Sequence, residues 1–160
     1  MLPQSNASFD AHENVVAFED EKTGLAGYIA IHSTHLGPAA GGCRVATYAT
    51  PEAALTDALR LSQGMSYKNA MADLPAGGGK AVLYRMNPEA PREAVFEAFG
   101  AQVQALAGQY ITAEDVGTCV ADMQAVARKT GFVAGLPPQA GQAGGDPSPW
   151  TALGVFVSLE

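Results

Sequence analysis

Apolar positions in this chain change period several times, and each change marks an element. "NVVAFED" (14–20) and "LAGYIAIHS" (25–33) are rich in β-branched and aromatic residues. The link between them, "EKTG", has hairpin length and ends in glycine, so the two runs predict an antiparallel hairpin. "CRVATY" (43–48) predicts a third strand, "KAVLYR" (80–85) a fourth and "YIT" (110–112) a short fifth. Between the strands the period is helical. Pro51 opens a helix that Thr50 is placed to cap, and along it Ala54, Ala58, Leu61 and Met65 step by four, three and four. A second helix follows Asn87-Pro88, with Val95, Phe99, Val103 and Leu106 on one stripe. A third runs from about 118 to 129, with Val120, Met123 and Ala127 on one face.

Alternating strands and helices predict the α/β class: three layers, α/β/α, around a mostly parallel sheet, with the first hairpin as an antiparallel addition. "GLPPQAGQAGGDPSPW" (135–150) carries four prolines and four glycines and reads as a loop that closes one domain at about residue 150. "TALGVFVSLE" (151–160) then starts a further helix.

Composition narrows the function. At 160 residues and 48% hydrophobic content, the chain suits one domain with a sizeable core. A net charge of −7 and the lack of any basic cluster exclude a nucleic-acid surface. No apolar run approaches the roughly 18 residues of a helical membrane span. "MLPQSNASFD" lacks the basic and apolar regions of a signal peptide, so the expected location is cytoplasmic, with no membrane partner. Cys43 and Cys119 are too few for a disulfide framework or a zinc site and read as reduced thiols. His12, His32 and His35 lack ligand spacing, and no metal is expected.

The unusual chemistry sits in "DLPAGGGKAVLY" (73–84), where three glycines precede a lysine. A phosphate loop is excluded, because Leu74 and Ala81 stand where its first glycine and its Ser/Thr belong. No G-x-G-x-x-G occurs either. Two lysines stand out instead. The apolar stripe of the first helix, continued by three, reaches Lys68, where an unpaired charge is costly unless the side chain snorkels to water. Lys80 opens the fourth strand, as a solvated strand start or as a proton-transfer group. Asp115 follows the fifth strand at its carboxyl end, where open α/β sheets place ligands, although a helix N-cap is an equal reading. In "LGPAAGGCR" (36–44), Gly41 and Gly42 either admit a ligand to bare backbone or make a tight turn.

These stretches carry a resemblance. "HLGPAAGGCR", "LRLSQGMSYKNAMADLPAGGGKAV", "YITAEDVGT" and "GDPSPWTALGVF" resemble the N-terminal domain of the glutamate, leucine, phenylalanine and valine dehydrogenases, with the leucine/valine branch nearest. The resemblance implies that Lys68 binds the substrate carboxylate, that Lys80 is the catalytic lysine, and that Asp115 assists proton transfer. It implies that Met65, Gly41, Gly42, Ala40 and Ala113 line the substrate site, Ala40 being smaller than the leucine common there. Arg44 and Thr151 match positions near the cofactor, NAD or NADP, which a Rossmann domain beyond residue 160 mainly binds. The implied partners are an L-amino acid, its 2-oxo acid, ammonium and further copies of the chain in a homo-oligomer. The implied reaction is reversible oxidative deamination of a branched-chain or other apolar amino acid, with this chain alone inactive. Two readings from other classes are a lysine Schiff-base lyase using Lys80 and a non-catalytic oligomerisation module.

Overall fold

In a computed structural model, residues 3–138 and 144–159 are described. The hairpin forms as expected. Strands β1 (Asn14–Asp20) and β2 (Leu25–Ser33) pair antiparallel, and the Asp20 carboxylate accepts from the Thr23 N–H and hydroxyl across the turn. Strand β3 (Ala39–Val45) leads to helix α1 (Pro51–Met71), strand β4 (Gly77–Arg85), helix α2 (Arg92–Ala105), strand β5 (Tyr110–Glu114) and helix α3 (Val120–Ala127). Helix α4 (Ser148–Val157) begins inside the stretch expected to be loop; residues 139–143 of that stretch, and Glu160, lie outside the described residues.

The five strands lie in the order β1-β2-β4-β3-β5. Strands β3, β4 and β5 run parallel, whereas β2 joins β4 antiparallel. The chain crosses from β3 to β4 in one lateral direction and from β4 past β3 to β5 in the other. Both crossovers can be right-handed only if their helices lie on opposite faces. Accordingly α1 packs its Ala54, Leu55, Ala58 and Leu59 against Ala30 and Val82 on one face. On the other, Val95, Phe96, Phe99 and Val103 of α2 and Met123 and Val126 of α3 enclose Leu83, Ala81, Ile29 and Ile31. The three-layer α/β/α architecture is therefore present.

Four elements differ from the sequence expectation in detail. Strand β3 starts at Ala39, four residues early, and β4 takes in all three glycines. Small residues carry little strand propensity of their own; here they form strands because close packing demands them. A Cβ on Gly78 would collide with the backbone N and Oγ of Ser66 and with the Ser62 carbonyl on α1. A Cβ on Gly79 would meet Cδ2 of the Tyr110 ring at 2.7 Å on the opposite face. The buried stripe of α1 is also rotated, running through Ala54, Leu55, Ala58, Leu59, Ser62 and Asn69. Leu61 and Met65 are only half-buried, and Lys68 is exposed on the flank of that stripe. On α3 the buried face is Asp122, Met123, Ala125 and Val126, because Asp122 turns inward to cap the helix and to pair with Arg92 at 2.7 Å.

The glycine packing makes a prediction. Gly78→Ala should destabilise the fold by about 3 kcal/mol or more, since backbone atoms of α1 must move. Gly64→Ala, whose added methyl meets nothing, should stabilise by about 0.5–1 kcal/mol. Urea unfolding of the two variants measures both; equal effects would contradict the close approach of α1.

Candidate active site

Helix α1 lies over β2 and β4 and leaves β3 and β5 on the same face without a covering helix among the described residues. Side chains alternate along a strand, so Gly78, Lys80 and Val82 face α1 while Gly79, Ala81 and Leu83 face the opposite core. Lys80 thus stands at the boundary between the covered and uncovered halves. Its side chain is 7% exposed.

A buried ammonium needs a counter-ion, and Asp115 supplies it. Strand β5 ends at Glu114, and the Asp115 N–H donates to Thr118 Oγ1 at 2.8 Å, while the Thr118 hydroxyl reaches the Cys43 carbonyl at 3.0 Å. This turn holds the carboxylate over β3. Asp115 Oδ2 lies 2.8 Å from Lys80 Nζ and 3.1 Å from Arg44 Nε. The N-cap of α3 is Cys119, with Asp122 accepting from its N–H, so Asp115 is not spent on capping. Burial pushes the Asp115 carboxyl up, but its hydrogen bond and charge contact with Lys80, the Val116 N–H and Arg44 outweigh this and hold it below the usual carboxylate range.

The arrangement extends one step further. Arg44 Nη1 reaches Asp57 Oδ2 on α1 at 3.1 Å, and the Tyr48 hydroxyl donates to the same oxygen at 2.6 Å. Burial and its hydrogen bond to Asp57 push the Tyr48 phenol up to about 12. Asp57 and Tyr48 escaped the reading of the sequence. A signal existed for Asp57: it stands four before Leu61 and eight before Met65, on the α1 flank that continues to Lys68.

Of the residues singled out in the sequence, most converge on this open strip. Ala40 pairs with Ile111 and Gly42 with Ala113, and Ala40, Ile111 and Ala113 are half-buried on the strip. Met65 reaches down to β3, its Cγ 3.2 Å from where a Cβ of Gly41 would stand. Lys68, one turn on, is exposed and takes no ion pair among the described residues. The glycines have a reason other than ligand access: the Cβ direction of Gly41 is filled by the Gly79 carbonyl, and that of Gly42 by Asp115 Cβ at 2.7 Å. Arg44 is engaged by two carboxylates, and Thr151 is exposed on α4, with no hydrogen bond to the cluster among the described residues.

Asp115→Asn leaves Lys80 buried without its anion and should destabilise the chain by about 3 kcal/mol at neutral pH. The folded-state pKa of Asp115 is depressed, so its contribution is present above the unfolded value of about 3.9 and is lost as pH falls through the folded one. Unfolding curves should therefore show the difference between wild type and variant in full at pH 6 and shrinking below about pH 4; a pH-independent difference would contradict the ion pair.

The chain is similar to known proteins. Residues 12–131 match the family model described as Glu/Leu/Phe/Val dehydrogenase, dimerisation domain. The chain is 51% identical over 149 residues to the leucine dehydrogenase of Geobacillus stearothermophilus, covering 93% of this chain and 40% of that protein. It is 54% identical over 148 residues to the valine dehydrogenase of Streptomyces virginiae, covering 92% of this chain and 41% of that protein. The crystal structure of L-tryptophan dehydrogenase from Nostoc punctiforme superposes with a TM-score of 0.75 at 41% identity, over 93% of this chain and 41% of the other. The chain thus spans about two-fifths of the length of these relatives and corresponds to their N-terminal part. It belongs to the Glu/Leu/Phe/Val dehydrogenase family.

Proposed function

We propose that this chain is the substrate-binding and catalytic part of an NAD(P)-dependent dehydrogenase that interconverts an apolar L-amino acid and its 2-oxo acid. The observation that carries the reading is the buried Lys80–Asp115 pair of 2.8 Å, opening onto a strip lined by Ala40, Ala113 and Met65 with Lys68 at its rim. Small apolar residues fit a hydrocarbon side chain, and an exposed, unpaired ammonium at the rim fits a carboxylate. The names of the leucine, valine and L-tryptophan dehydrogenases support the same substrate class.

In the direction of deamination, an amino acid, water and NAD(P)+ give a 2-oxo acid, ammonium, NAD(P)H and a proton. A bound nicotinamide would supply one chemistry that no residue of this chain can, hydride acceptance. Arg44 is held by two carboxylates and Thr151 is exposed on α4, so this reading assigns cofactor binding to a region matching the remaining three-fifths of the relatives. The chain's own residues do the rest. Lys68 holds the carboxylate and fixes the α-carbon over the strip. Lys80 Nζ takes a proton from the water that attacks the oxidised carbon. It can do so once its own proton has left to solvent; Asp115 Oδ2, held below the usual carboxylate range, orients it by accepting a hydrogen bond at 2.8 Å. In this role Lys80 works without covalent attachment to the substrate. Self-association belongs to the same reading, supported by the description of the family model as a dimerisation domain and by the open edge of β1.

The roles separate in the full-length protein. Lys80→Ala should lower kcat by about 10²–10⁴-fold with substrate KM little changed. Lys68→Ala should mainly raise the amino-acid KM, because it removes a contact made both before and during reaction. Steady-state kinetics in which both variants lose kcat alike, with KM untouched, would overturn the assignment.

A further inference from the structure

The Arg44–Asp57–Tyr48 chain lies outside every role assigned so far. Arg44 and Lys80 both approach a single oxygen, Asp115 Oδ2, at 3.1 and 2.8 Å. Two cations competing for one oxygen weaken each other, unless the charge of one is neutralised elsewhere. Asp57 does this from the far side of the guanidinium, 3.1 Å from Nη1, and is itself held by the Tyr48 hydroxyl at 2.6 Å. Arg44 is therefore stretched between two carboxylates, in an orientation that its planar fork makes specific.

We propose that Asp57, fixed by Tyr48, is a positioning residue of this site: it shares Arg44 with Asp115, so that the guanidinium takes up that carboxylate only in part and leaves it to orient Lys80. The proposal rests on the reading of Lys80 as the proton-transfer group. It also reassigns Arg44, whose guanidinium serves the ion-pair chain instead of a cofactor. The four charges cancel, Lys80 and Arg44 against Asp115 and Asp57. The titratable and charged groups facing Asp115 are Lys80 from β4 and Arg44 from β3, while the Cys43 thiol of β3 is buried in the core on the other face of the sheet. Asp57 on α1 and Tyr48 stand behind Arg44.

Removing one anion makes the cluster net positive and leaves Asp115 as the only carboxylate of the cluster that holds Arg44. A positive environment favours every deprotonated form within reach. In full-length protein carrying Asp57→Asn, kcat should fall about 10-fold, and the limb of the pH–kcat profile on which activity rises should move to lower pH by roughly half to one unit. Lys80 should also be acylated by an N-hydroxysuccinimide ester about 3- to 10-fold faster relative to Lys22 than in wild type, read by peptide mass spectrometry. Tyr48→Phe removes a hydrogen bond and no charge. It should raise the relative Lys80 reactivity about 2-fold and move the pH limb by no more than about 0.3 unit.

An Asp57→Asn protein in which the limb stays put, or in which Lys80 reacts no faster than in wild type, would overturn the proposal, even if kcat falls. Should that variant not fold, as judged by circular dichroism, Tyr48→Phe decides: unchanged Lys80 reactivity overturns the positioning role. A wild-type protein without dehydrogenase activity would overturn the proposed function, while the reactivity comparison would still report on the ion-pair chain.

Discussion

A lysine that is 7% exposed in the middle of a β-sheet has to be matched by a fixed anion, and the rest of the site follows from that requirement. Asp115 lies at the carboxyl end of the adjacent parallel strand system, and the Thr118 turn aims it back over β3. Were Asp115 to cap α3, as its position before that helix permits, Lys80 would be an isolated buried charge costing several kcal/mol. Cys119 and Asp122 take the capping role, which leaves Asp115 available.

The packing serves the same end. Glycines at 78 and 79 let α1 settle onto β4 and Tyr110 come in beneath, and the Tyr110 hydroxyl donates to the Gly41 carbonyl at 2.7 Å. These contacts fix β3, β4 and β5 together where Lys80, Arg44 and Asp115 meet. Because α1 covers only β2 and β4, the other half of this face stays open above Ala40 and Ala113. The half-exposed flank of α1, through Asp57, Leu61, Met65 and Lys68, forms one wall of that opening.

Much of this was legible in the sequence, and what was not has identifiable causes. The hairpin strands carry strong β residues, and their ends match the structure. Lys80 and Asp115 were recognised as candidates, but no local pattern states that the two meet across 35 residues of chain. The glycine-rich starts of β3 and β4 have no strand propensity, and only tertiary packing makes them strands. Gly41 and Gly42 admit two readings from sequence, ligand access or a tight turn, whereas the protein fills their Cβ directions with its own atoms. The α1 stripe was placed one flank away because Leu55 and Leu59 bury with Ala54 and Ala58, leaving Leu61 and Met65 at the margin. Arg44 gave no hint of two carboxylate partners, since Asp57 lies on a helix and Asp115 beyond a distant strand.

The central claim is that Lys80, oriented by Asp115, works without covalent attachment on a substrate anchored by Lys68. A crystal structure of the full-length protein with a branched 2-oxo acid tests it most directly. The account predicts the ligand carboxylate within about 3 Å of Lys68 Nζ, its carbonyl carbon facing Lys80 Nζ, and the Lys80–Asp115 contact intact. A ligand seated away from Lys68, or joined to Lys80 through a carbon–nitrogen bond, would contradict it.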